Sequence, residues 1–140
     1  GRINKLAQID ASSHCNGNDG ESVVSFGGLP REILAMTCVI MALNGSDYNR
    51  VLSSDTKFNK TQVNWTTNPN SSSCRGRYDL EGVMTHERGH TFGLDHVSES
   101  SHGKLTMSRR INGPCQSSER SLGRGDVLGL DRKYPADWDS

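Results

Sequence analysis

Apolar residues are scarce in this 140-residue chain: 32% of it is hydrophobic and 6% aromatic. That composition fills one modest core, and the length fits one domain. No apolar run approaches the ~18 residues of a membrane-spanning helix. Neither sign of charge is in excess, since 16 Lys and Arg offset 16 Asp and Glu. With no basic run either, the electrostatic footprint of a nucleic-acid binder is missing. The opening stretch GRINKLAQID does not read as a signal peptide, so an exported protein would be represented here in a processed or trimmed form. Internal repeats and dividing linkers are also absent from the pattern.

Cysteine is limited to Cys15, Cys38, Cys74 and Cys115, with no CxxC pair among them. That spacing argues against a zinc ribbon or a thioredoxin-like site. Two disulfides in an exported protein is one reading, and four free thiols in a cytosolic protein is the other.

Strand signals dominate the first 60 residues. KLAQID and SVVSF are short candidates separated by the turn-forming CNGNDGE. In EILAMTCVIMAL the residues Thr37, Val39 and Ile40 favour a strand over a helix. RVLSSDTKF reads as a further strand lying partly at the surface, and NKTQVNWTTNPNSSSCRGR as polar loop. At Tyr78 the period changes. Leu80, Val83, Met84, Thr91 and Leu94 recur at three- and four-residue steps, predicting a helix with one buried face. Asp79 is its expected N-cap and Gly93 its left-handed stop. Residues 97–124 read as irregular. GDVLGLDRKY predicts a last short helix, capped by Asp126 and stopped at Pro135.

The predicted helix carries HERGHTFGLDH. At 100° per residue His86 and His90 lie one turn apart on one face, so their imidazoles can converge on one ion. Glu87 is the next residue round, placed to reach a water on that ion. A sharp turn at Gly93 would let His96 swing back as a third nitrogen. Three imidazoles with an open fourth position make a catalytic zinc arrangement, and a carboxylate beside the water can accept its proton. His14 and His102 read as solvated loop residues.

This stretch resembles the zinc signature HExxHxxGxxH of the metzincin metallopeptidases. KLTMS supplies Met107 where that clan carries a methionine turn beneath the metal. Astacins and serralysins place a tyrosine two residues later, where this chain has Arg109, so the likeness is to matrixins. NGNDGESVVSFGGLP, LAMTC, SSDTKFN, Trp65 and YDLEGVMTHE resemble successive segments of bacterial matrixin-like domains. The resemblance implies an α+β fold: a twisted mixed sheet packed on the active-site helix, and a small C-terminal subdomain with the Met-turn and final helix. It implies a single catalytic domain over 1–140, lacking the N-terminal strand and helix of a full matrixin domain. Substrate would lie extended against an edge strand around Leu34–Thr37.

By the same resemblance the expected function is that of a secreted zinc endopeptidase, bacterial by the likeness of these segments, monomeric and free of membrane or nucleic-acid partners. His86, His90 and His96 would bind one zinc, Glu87 would serve as general base then acid, and Met107 would underlie the site. The alternative is a secreted zinc-binding module of the same fold without peptidase activity. A complete set of ligands and glutamate favours the enzyme. For calcium, Asn16, Asn18, Asp19 and Glu21 offer oxygens in a Gly-rich turn that does not match the EF-hand spacing, and an Asx-rich turn is the competing reading. The pairings expected are Cys15–Cys38, joining two β segments, and Cys74–Cys115, closing the loop that carries the ligands. Arg88 replaces an apolar matrixin residue. It projects about 200° from His86, in line with Met84 and Phe92, and its head is expected in solvent.

Overall fold

The computed structural model describes residues 19–46 and 50–135. The KLAQID segment, His14, Cys15, Asn16 and Asn18 lie outside them. The chain forms two compact units, Gly1–Gln62 and Val63–Ser140. Strands occupy the first, and the second is mainly helical, giving an α+β protein.

The first unit holds β1 (Val24–Gly27), β2 (Ala35–Met41) and β3 (Val51–Asn59) in the order β1-β3-β2. β1 runs parallel to β3, with Val24 opposite Thr56. β2 runs antiparallel to it, with Thr37 also opposite Thr56. β2 is thus an edge of this sheet, and it contains most of the segment expected at an edge.

The expectation that RVLSSDTKF lies partly at the surface holds at its start, where Arg50 is exposed and Leu52 is 40% exposed. β3 is the central strand, and Ser53, Ser54, Asp55, Thr56, Phe58 and Asn59 are all buried. Burying so polar a strand requires partners for its side chains. Asp55 Oδ1 accepts from the Val23 amide at 3.0 Å, and the Thr37 and Thr56 hydroxyls share a hydrogen bond of 2.9 Å. The Asn59 amide donates to the carbonyls of Leu29, Pro30 and Ile33, holding the loop between β1 and β2. Phe58, with no exposed surface, packs on Phe26 at 5.5 Å between ring centroids. Side-chain hydrogen bonds here do work that a larger apolar core does elsewhere.

In the second unit β4 (Trp65–Thr66) pairs in parallel with β5 (Tyr78–Asp79), inside and just after a stretch expected to be loop. Helix α1 spans Leu80–Thr91. A short α2 (Glu99–His102), a 3₁₀ turn (Ser118–Arg120) and α3 (Arg124–Lys133) follow. α1 begins and ends as its sequence predicts. Asp79 is the N-cap, its Oδ2 accepting from the Gly82 amide at 3.2 Å. Gly93 takes φ +84° at the other end. Its amide bonds to His90 O at 2.8 Å and that of Leu94 to Gly89 O at 2.9 Å, the pattern of a Schellman stop.

Two expectations need amending. The buried face of α1 consists of Gly82, Val83, His86, Glu87 and Gly89, whereas Met84 is only half-buried. The apolar period is therefore offset from the buried face, because that face is given to the histidine and glutamate. In α3 the N-cap is Gly123, and Asp126 stands three residues inside. Its carboxylate still caps by accepting from the Gly123 amide at 3.0 Å.

Two ties hold the loops around α1. Cys74 and Cys115 form the expected disulfide. Cys38 is also disulfide-bonded, and Cys15, its expected partner, lies outside the described residues. Arg120 makes the second tie: Nε donates to Asp79 Oδ2 at 2.7 Å and Nη2 to Oδ1 at 2.8 Å. Nη2 also donates to Thr67 O at 2.9 Å, and Nη1 pairs with Glu81 at 3.0 Å.

Burial alone would raise the Asp79 pKa, but the Arg120 hydrogen bonds and charge, aided by the Gly82 and Glu81 amides, hold it below the ordinary carboxyl value. A carboxyl depressed on folding contributes stability that is complete above about pH 4 and lost as pH falls through the lower folded value. Asp79→Ala should cost about 1–2 kcal/mol from the cap alone near neutrality. In acid denaturation the gap between variant and wild type should close; a gap that persists at pH 2 would show that the carboxylate charge is not its source.

Candidate metal centre

α1 places His86 and His90 a turn apart, and the Gly93 reversal returns the chain so that His96 joins them. Their Nε2 atoms converge: His86 and His90 are 3.1 Å apart, His90 and His96 3.2 Å, His86 and His96 3.3 Å. Among the described residues these three form the one group of His, Cys, Asp or Glu side chains that could hold a metal ion.

The proton assignments test whether a metal fits. His86 Nδ1 lies 2.6 Å from the Thr106 carbonyl, and His90 Nδ1 lies 2.9 Å from the Leu94 carbonyl. A carbonyl only accepts, so each Nδ1 carries the proton and each neutral ring presents a bare Nε2 lone pair. Two such nitrogens at 3.1 Å cannot hydrogen-bond to each other, and they repel unless a cation lies between them. Zinc–imidazole bonds of about 2.0–2.1 Å in a tetrahedron put the nitrogens about 3.3–3.4 Å apart. The observed spacings are close to this. The residues present fit zinc.

Burial grades across the cluster. His86 is buried, His90 intermediate and His96 exposed, so the open side lies at His96. Burial holds the His86 pKa below the ordinary imidazole value, against the Thr106 carbonyl, which raises it. His96 is also held low, first by burial, then by His90 and His86, then by Arg109. Both rings are therefore neutral at pH 7, the state a metal ligand requires.

Glu87 is buried on α1 next to His86. Met107, 1% exposed, packs against the helix at Gly89, where any added Cβ would collide with its thioether. The chain around it runs beside the third histidine: Val97 pairs with Ser108, and the Val97 amide donates to Met107 O at 2.9 Å. Other residues singled out in the sequence stand apart. His102 is exposed in α2 and bonds to Ser101. Of the candidate calcium residues within the described region, Asp19 accepts from the Glu21 amide at 2.9 Å, as in an Asx turn.

Arg88 is exposed, and Phe92 beside it is 51% exposed. Arg88→Leu should then change stability by less than about 1 kcal/mol and leave zinc affinity within a factor of about two. Thermal melting and zinc titration check this; a loss of several kcal/mol would mean that the guanidinium has a structural partner.

Three contributors had no side-chain signal or only a distant one. Thr106 and Leu94 act through main-chain carbonyls, which any residue supplies. Glu119 is buried, and its carboxylate accepts from the Asn112 amide and the Ser118 hydroxyl. It follows α1 by some 30 residues in an irregular stretch.

The family model described as matrixin, a peptidase family, matches residues 27–135. Searches of curated proteins and of solved structures gave no significant match. The matched region covers more than half of the chain and includes the whole histidine cluster, and the chain belongs to the matrixin family.

Proposed function

We propose that this protein is a zinc endopeptidase that works outside the cell as a monomer on protein or peptide substrates. The observation that carries the proposal is the convergence of three imidazole Nε2 atoms within 3.3 Å, with a buried glutamate on the same helix. His86, His90 and His96 hold the metal, and Met107 is the methionine of the turn beneath it. Zinc bound there supplies Lewis acidity, acidifying water and polarising a carbonyl.

The protein's own part is positioning and proton transfer. The Thr106 and Leu94 carbonyls fix the tautomers of two ligands and keep their Nε2 lone pairs directed at the centre. The Glu87 carboxylate takes a proton from the attacking water and delivers it to the departing amine nitrogen. Asp79 and Arg120 hold the N-terminal end of α1, and the Gly93 reversal sets the third ring. Cys38 is assigned to Cys15 within this proposal, as the second disulfide of an exported protein.

Digestion of unfolded casein tests the reading. Cleavage should be seen with zinc, stop with a chelator and return on adding zinc. Stoichiometric zinc binding without cleavage would overturn the peptidase assignment and leave a zinc-binding module.

A further inference from the structure

We propose that Tyr134 is a positioning residue for the metal centre: its hydroxyl, by holding the Phe92 carbonyl, fixes the reversal that brings in the third imidazole. The inference rests on the zinc reading above and adds the element that preorganises that centre.

The reversal after α1 carries two things the centre needs. His96 lies just beyond it, and the Leu94 carbonyl within it accepts from His90 Nδ1 at 2.9 Å. Toward α1 the reversal is closed by amides: Phe92 donates to Arg88 O, Gly93 to His90 O and Leu94 to Gly89 O. A helix end also leaves carbonyls with no partner inside the helix, and Phe92 is the C-cap. Its carbonyl accepts from the Tyr134 hydroxyl at 3.0 Å, a bond that spans 42 residues of chain.

The end of α3 covers the same reversal at three further points. The rings of Phe92 and Tyr134 stand edge to face, with 6.4 Å between centroids. The Lys133 side chain fills the space that a Cβ on Gly93 would take, and a Cβ on Gly129 would lie 3.0 Å from Leu94. Gly129 and Lys133 are a turn apart, so one face of α3 lies over the reversal. Lys133 also brings a positive charge to the C-terminal end of α1, where the helix dipole favours it.

Tyr134 is 37% exposed, so water can satisfy the Phe92 carbonyl in place of the hydroxyl. What water cannot do is tether the turn to a second helix. Removing the hydroxyl should therefore cost the metal-free protein little. The loss should appear when zinc has to gather its three rings from a looser arrangement.

The test is Tyr134→Phe, which removes the hydroxyl and keeps the ring on Phe92. The zinc Kd, measured by competition with a chelator, should rise about three- to tenfold, the range of one hydrogen bond. The melting temperature of the metal-free protein should stay close to that of wild type. Nitrogen NMR of the metal-free protein should show His90 losing part of its Nδ1-protonated form, while His86, held by Thr106 O, keeps its own. A Kd within about twofold of wild type overturns the proposal. So does a large fall in the metal-free melting temperature, or an equal tautomer change in both rings, either of which would make Tyr134 a general support of the fold. None of these measurements needs peptidase activity, so an inert wild type that binds zinc counts against the enzyme reading alone. If wild type binds no zinc, the zinc reading falls and takes this inference with it.

Discussion

Glu87→Gln should lower kcat/KM on a fluorogenic peptide by about 10²–10⁴-fold while zinc content and melting temperature stay close to wild type. The substitution keeps the size of a side chain that is 4% exposed, so packing on α1 is retained. It also keeps hydrogen-bonding capacity toward water. What it removes is the ability to accept a proton at neutral pH, and with it the route by which the amine leaving group is protonated. The three imidazoles are untouched, so metal analysis should still give one equivalent. Residual activity above a tenth of wild type would show that another group moves the proton.

The second large effect is expected for His90→Ala, which should weaken zinc binding by at least ~100-fold, more than the loss of an outer-shell partner. His90 is the ligand shared by the two shorter contacts of the cluster, at 3.1 and 3.2 Å. Without it His86 and His96 remain 3.3 Å apart, and α1 has no other side chain placed to complete a three-nitrogen set. Stability supplies an independent readout. Zinc at a thousand times its Kd should stabilise wild type by about 4 kcal/mol, a gain the variant lacks. Chelator should accordingly lower the melting temperature of wild type and leave that of His90→Ala in place. Equal zinc content in the two proteins would mean that the metal is held elsewhere.

Much of this centre could be read from the residues because its determinants are local. A period of 3.6 puts His86 and His90 on one face, Asp79 supplies a cap three residues before the amide it accepts from, and Gly93 supplies a left-handed stop. Each device acts over a turn or two of chain. Long-range features left weaker traces. The burial of the middle of β3 was not legible because Ser53, Ser54, Asp55 and Thr56 are polar, and hydropathy does not register that their partners come from elsewhere in the chain, such as Val23, 32 residues from Asp55. The clamp from Arg120 to Asp79 spans 41 residues, and arginine in a Ser/Gly/Arg-rich segment looks like a solvated charge. The β4–β5 pair is two residues long on each side, too short for any period to show.

The disulfide between Cys74 and Cys115 bears on what would follow if the proposed peptidase cut its own chain. The two cysteines are 41 residues apart, and His86, Glu87, His90, His96 and Met107 all lie between them. Every residue assigned to the metal centre therefore belongs to one covalent ring. A single self-inflicted cut at any peptide bond within that ring opens it without detaching either piece, since the severed ends remain joined through sulfur. The fragments also stay in register through contacts such as Arg120 with Asp79. Only a second cut inside the ring, or reduction, can free part of the centre. Under the peptidase reading, a first nick by another copy of the protein need not end the working life of the molecule.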